Sequence, residues 1–317
     1  MGSLLTLGTL QTAVELGVIY SLVALALFLS YSMLNVCDLS TDGCFILGCA
    51  VGASVALTGH PILAIFAAMG AGIASGFITA TLQTRFGIES ILAGIIVNTG
   101  LYTINIFAMG NRSNLSLNGT DTVFTMMKSA LENTPLAPYY KLMVGVLFAG
   151  AAAVLLILFL RTRLGLSIRA TGDNVDMVRA SSINPAHTIT VGLCFSNAMT
   201  ALGGCLLGEY QKSCDINVGT GMVTIALAAL IIGETLSRSR GSIARRVVFV
   251  IIGSCLYRIV MAIAMRLNMP ASALKLVSAI IVAVAIAMPH LKQSFGDHQK
   301  KRAAMRIAEN ETEESVC

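Results

Sequence analysis

The chain has 317 residues, of which 56% are hydrophobic and only 12% charged, with a mean hydropathy of +0.80 and a formal net charge of +5. A soluble domain carries about twice that charged share, which argues against soluble catalysis and makes a bilayer the implied solvent. The positive balance then serves as a topology signal; a nucleic-acid role would need a basic face on a soluble domain.

In chain order, apolar runs predict nine spans: Leu16–Leu34, Gly43–Thr58, Pro61–Leu82, Ser90–Met109, Leu142–Leu160, Ile189–Leu207, Met222–Leu236, Val247–Met265 and Ala271–Met288. About 20 apolar residues cross the hydrocarbon as a helix, whereas barrel strands need only ~9 to 11 alternating ones. The expected fold class is therefore an all-α polytopic membrane bundle, one domain over residues 1–290 with a cytoplasmic tail at 291–317. Placing Arg161–Pro185 inside puts Arg85, Arg161, Arg163, Arg169, Arg179, Arg245, Arg246 and the basic tail on one side. Fewer basic residues, among them Arg112, Lys128, Lys141 and Lys212, fall on the other. That asymmetry predicts a cytoplasmic C-terminus and, over nine crossings, an external N-terminus.

An internal echo follows the first and sixth spans. Cys37-Asp38-Leu39-Ser40-Thr41-Asp42-Gly43 is matched by Cys214-Asp215-Ile216-Asn217-Val218-Gly219-Thr220-Gly221, and each leads into a short span rich in small residues. The predicted topology places the copies on opposite sides, so four spans (about 11–109) repeat inverted (about 186–289) around a connector at 142–160. Paired, polar-interrupted spans in matching positions point to a solute path, because unwound backbone at membrane depth is tolerated where it is buried in protein or lines a cavity. Two ordinary loops with a chance match are the alternative. Gly48 with Gly52, and Gly72 with Gly76, carry the four-residue spacing of close helix packing. The eight cysteines form no C-x-x-C pair and read as small packing residues.

Arg258 sits mid-span, where a charge is costly, and is expected to find an acid or reach the interface. Tyr20, Asn98, Asn105 and Asn197 offer hydrogen bonds within spans, and Tyr20, Asp38, Asn98, Asn197, Asp215 and Arg258 form a candidate solute path. Interhelical glue is the competing use for the neutral ones. Between Arg161 and Pro185 the chain turns polar and basic, and Thr171 or Asp173 is expected to cap a helix running to about Ser182. Ten residues give ~15 Å of helix, too short to span and suited to a knob in a partner's groove, with Val175, Val178 and Ile183 as its apolar stripe.

At these residues the chain resembles the permease family of binding-protein-dependent ABC importers that includes branched-chain amino acid and ribose permeases. The resemblance runs from about Glu15 to Pro289 and rests on Gly165, Arg169, Ala170, Gly172, Asn174, Ala180, Ile183 and Asn184, together with Gly17, Tyr20, Ser21 and Leu22 and with the Gly233–Gly241 stretch. Ser182 stands where the family usually has Gly. The resemblance implies that these coupling residues, with Asp173, meet an ATPase, and that the chain itself is no enzyme. It further implies two ABC ATPase subunits carrying ATP and magnesium, an extracytoplasmic solute-binding protein, a second permease copy or paralogue, and a bacterial cell membrane. No G-x-x-x-x-G-K-[ST] phosphate loop occurs in the chain, and no cofactor, metal site or nucleic-acid partner is expected of it. The implied solute is an amino acid, with sugar or nucleoside close behind. An ion-coupled secondary transporter, built on Arg258 and an acid, is the reading from another class, and a structural membrane subunit without a solute path is a third.

Overall fold

The structure, a computed structural model, describes residues 7–132, 137–237 and 242–266, together with positions 276, 277, 279, 280, 283, 284 and 287. Eight apolar helices among them overlap the first eight expected spans, the first starting at Leu7 rather than Leu16 and the sixth running Pro185–Gln211 rather than Ile189–Leu207. They are α1 (Leu7–Leu27), α2 (Thr41–Ala56), α3 (Pro61–Thr84), α4 (Ser90–Ala108), α6 (Tyr140–Arg161), α9 (Pro185–Gln211), α10 (Met222–Ser237) and α11 (Ile243–Arg266). Six are long and apolar enough to cross a membrane; α2 and α10 are shorter. At 16 residues each, those two reach ~24 Å, less than a ~30 Å hydrocarbon core. The count of nine is thus not reached among the described residues: the ninth expected span, Ala271–Met288, lies outside them apart from the isolated positions, as do the tail, Arg238, Arg240 and Gly241.

Helices α1 and α9 form the buried centre, with α3, α4, α6 and α11 exposing much of their apolar surface, as lipid-facing helices do. The two glycine pairs explain the tightest contacts. A Cβ on Gly72 would come 2.5 Å from the Asn197 carbonyl oxygen, and one on Gly76 2.6 Å from that of Leu193, so α3 and α9 meet backbone to backbone. Gly52 faces Cys205 of the same helix, and Gly48 faces the Ala201 carbonyl. In the absence of a hydrophobic drive between helices in lipid, such close approach supplies the packing energy. Rising residue numbers on α2 meet rising numbers on α9, whereas α3 runs against them, so α2 and α9 are parallel and α3 antiparallel.

Helix α1 ends in a π-helical turn, Phe28–Met33, after which Asn35 takes a left-handed φ of +55° and the chain folds back toward the start of α2. The strands β1 (Asn114–Ser116) and β2 (Ser213–Asp215) pair antiparallel, with Leu115 opposite Cys214. Among the described residues the bundle is all-α apart from this ribbon, which was not expected. It ties the loop after α4 to the end of α9. Helix α5 (Val123–Ala130) lies in that loop, its N-cap Thr122 accepting from the Thr125 amide in a capping box and Glu209 accepting from the Val123 amide at 2.9 Å.

Candidate functional site

At one end of the bundle lie α7 (Arg163–Asp173) and α8 (Val175–Ala180). The structure corrects the expected single helix starting at Thr171 or Asp173. Asn174 is the break: it is extended (φ −160°), and its Oδ1 accepts from the Asp176 and Met177 amides at 3.0 Å each. An Asn with that geometry ends one helix and caps the next. Thr171 lies inside α7, its hydroxyl bonded to the Ser167 carbonyl and 2.9 Å from the Thr188 hydroxyl. Asn184 caps α9 by accepting from the Ala186 amide.

The expected apolar stripe is also revised: Val178 is turned inward and buried, Ile183 is half-buried, and Val175 with Met177 is exposed. Gly165 is buried against the Leu160 backbone, and Gly172 lies on the Met33 carbonyl, with the Leu34 backbone 3.0 Å from where its Cβ would stand. Arg169 and Ala170 are half-buried, whereas Asp173, Asn174, Arg179 and Ala180 are exposed. Arg179 and Asp176 approach at 3.8 Å as a solvated pair, worth little. Ser182 adopts φ +60°, which accounts physically for glycine being the residue that suits this helix exit.

From Gly172 the contacts lead inward. The π-helical turn that Gly172 touches continues through Asn35 to Asp38, which is 1% exposed. Asp38 Oδ1 accepts from the Ser40 amide and hydroxyl, and its Oδ2 accepts from Asn197 Nδ2 at 2.9 Å. Asp215 makes the same turn, its Oδ1 accepting from the Asn217 amide at 2.7 Å. The echo in sequence is therefore an echo in structure: each Asp shapes the turn that starts a short helix. The two short helices meet at their N-termini, where Asp42 of α2 accepts from the Gly221 amide at 3.0 Å and the Val223 amide at 2.8 Å of α10. Asp42 was not among the expected site residues. Its one sequence signal was its place beside Gly43 in the repeated motif.

Beside this junction a cavity of about 320 Å³ is lined by Asp42, Gly43, Asn98, Tyr102, Asn105 and Asn217 among others. Asn98 is thus the one expected path residue that lines it. Asp38 and Asn197 are brought together as a buried tie, and Asp215 is held in the ribbon. Tyr20 and Arg258 meet elsewhere: the guanidinium lies 3.6 Å from the Tyr20 ring centroid, and its buried Nε has no hydrogen-bond partner. Among the described residues Arg258 makes no ion pair with an acid. Glu15, one of the acids considered, instead accepts from the Tyr210 hydroxyl and from Gln11, and Glu234 pairs with Arg246 while accepting from Ser32. A cation over an aromatic face is stabilised without a formal counter-ion.

The sequence profile of a family described as the branched-chain amino acid transport system permease component matches residues 10–288. A tyrosine transport system permease protein of Clostridioides difficile is 31% identical over 278 residues, 87% of this chain and 90% of that protein. An uncharacterized protein of Rickettsia prowazekii is 31% identical over 281 residues, 87% of this chain and 96% of its own. A nucleoside ABC transporter permease of Lactococcus lactis is 26% identical over 179 residues, 52% of this chain and 49% of that protein. No solved structure matches.

Proposed function

Because the chain belongs to the branched-chain amino acid transport system permease family, we propose that it is the membrane-spanning subunit of an ABC importer that gives a small solute, first of all an amino acid, its path across the bilayer. It is a multi-pass protein of the bacterial plasma membrane. In this reading ATP and magnesium are bound by separate ATPase subunits at the α7–α8 end, on the cytoplasmic side, and a solute-binding protein delivers from the β1–β2 end. A second permease copy or a paralogue completes the membrane part.

The observation that carries the reading is the seating of Gly172 on the last turn of α1. A push on exposed α7 and α8 is passed by hard backbone contact to Met33 and Leu34, then along Asn35–Ser40 to the junction of α2 and α10. Packed interfaces switch between discrete arrangements rather than deforming continuously, so this seat suits a two-state gate. The likeness to a tyrosine permease over nearly its whole length supports an amino acid. The shorter likeness to a nucleoside permease keeps nucleosides as the second reading.

Reconstitution tests this directly. Proteoliposomes holding the permease, its ATPase and its binding protein are expected to accumulate labelled amino acid only with ATP. Uptake driven by an ion gradient without the ATPase would overturn the importer reading in favour of a secondary transporter.

A further inference from the structure

The cavity beside the helix junction has a particular chemistry. Its rim, Thr99, Tyr102, Asn217 and Thr220, is exposed, and its floor at Gly43 and Asn105 is buried. Asn105 is 0% exposed; its Nδ2 donates to the Gly43 carbonyl at 3.1 Å, while its Oδ1 has no hydrogen-bond partner. A buried amide oxygen left unpaired is costly, so such a group calls for a donor. The second acceptor is Asp42. Its two oxygens take the Gly221 and Val223 backbone amides at the start of α10, and a carboxylate oxygen has capacity for a further bond. The N-terminus of α10 offsets only about half a charge. No Lys, Arg or His is among the described residues lining the cavity. The site therefore combines a carboxylate and an unpaired amide oxygen with the neutral side chains of Asn98, Thr99, Asn217 and Thr220, an aromatic ring at its mouth and no cation of its own among the described residues.

We infer that this cavity is a solute-reading site within the membrane path, in which Asn105 Oδ1 and Asp42 receive the α-ammonium group of an amino acid while Tyr102 flanks its side chain. This rests on the proposed importer role and narrows it: the permease itself selects for a protonated amine, which a neutral nucleoside lacks. A volume of about 320 Å³ is within the usual range of small-molecule sites.

The test is binding of labelled tyrosine to the full-length permease in nanodiscs, without binding protein, in competition with two analogues. Tyramine keeps the ammonium and lacks the carboxylate; 3-(4-hydroxyphenyl)propionate keeps the ring and carboxylate and lacks the ammonium. Tyramine is expected to displace the label and the acid is not. Asn105→Leu and the near-isosteric Asp42→Asn are each expected to weaken tyrosine by about tenfold or more, the usual effect of removing a hydrogen bond to a charged group. Thermal melting establishes that each variant is folded; if Asn105→Leu is not, Asp42→Asn and the analogue pair decide.

Equal displacement by both analogues, wild-type affinity in the folded variants, or no tyrosine binding by folded wild type overturns the assignment. Uptake by the complete importer is scored separately. ATP-dependent tyrosine uptake alongside those failures removes this site alone, whereas ATP-dependent uptake of uridine in place of tyrosine removes the amino-acid reading as well.

Discussion

Replacing Gly172 with Ala tests the contact on which force transfer depends. The added methyl falls on the Met33 carbonyl oxygen, with the Leu34 backbone 3.0 Å away. Non-bonded carbons sit at ~3.5 to 4.0 Å. Because the obstructing atoms are backbone, no rotamer change relieves the clash, and α7 must back away from α1. Overpacking of this kind costs ~1 to 3 kcal/mol, so a lowered melting temperature is expected in detergent. The functional effect should exceed the stability loss: with α7 lifted from its seat, ATP hydrolysis by the assembled importer persists while solute moved per ATP falls. Gly150→Ala on α6 is the control: nothing lies within 4 Å of its Cβ, so it should not lower the melting temperature and should leave coupling unchanged. Wild-type melting and wild-type coupling in Gly172→Ala would refute the reasoning.

Three further outcomes follow from local geometry. Asp38→Ala removes three hydrogen bonds in a buried place and strands the Asn197 amide, so it should destabilise by ~2 to 4 kcal/mol; Asp215→Ala, losing an exposed turn bond, should cost under ~1 kcal/mol, and melting curves order the two. Ser182→Gly relieves a left-handed serine and is expected to stabilise by up to ~1 kcal/mol, read as a raised melting temperature. Glu234 and Arg246 form a half-buried pair joined by Ser32, so Arg246→Met alone should destabilise more than Arg246→Met combined with Glu234→Met, because the single change leaves an uncompensated carboxylate; a double-mutant cycle on melting gives the comparison.

Much of the bundle was legible because membrane helices announce themselves by apolar length, and the starts and ends of α2, α3, α4, α6 and α10 fall within two residues of the expected ones. The paired glycines were legible as a spacing, and the structure adds that both pairs face α9. The Cys-Asp echo was legible as a repeat, yet its consequence was not. That Asp42 caps α10 depends on a contact 179 residues away in sequence, which no local pattern encodes. Asn174 was read as part of a helix because its neighbours favour one; its side chain competes for the Asp176 and Met177 amides and breaks the run. Arg258 was expected to find an acid or reach the interface, whereas the structure lays its guanidinium on the Tyr20 ring, a contact that charge bookkeeping does not foresee. Asn105 was legible as a hydrogen-bonding side chain within a span, but not its use: the sequence favoured interhelical glue, whereas the structure gives it one bond to the Gly43 carbonyl, an unpaired oxygen and a place in the cavity lining.

On the proposed reading, the exposed α7–α8 end meets an ATPase. A photo-crosslinking amino acid placed at Met177, an exposed residue of α8, is expected to give an adduct with the ATPase subunit in membranes, changing in yield when ATP is added. The same probe at Met126, exposed on α5 at the other end, is expected to give none. Adducts with the ATPase from Met126 and not from Met177 would contradict the account.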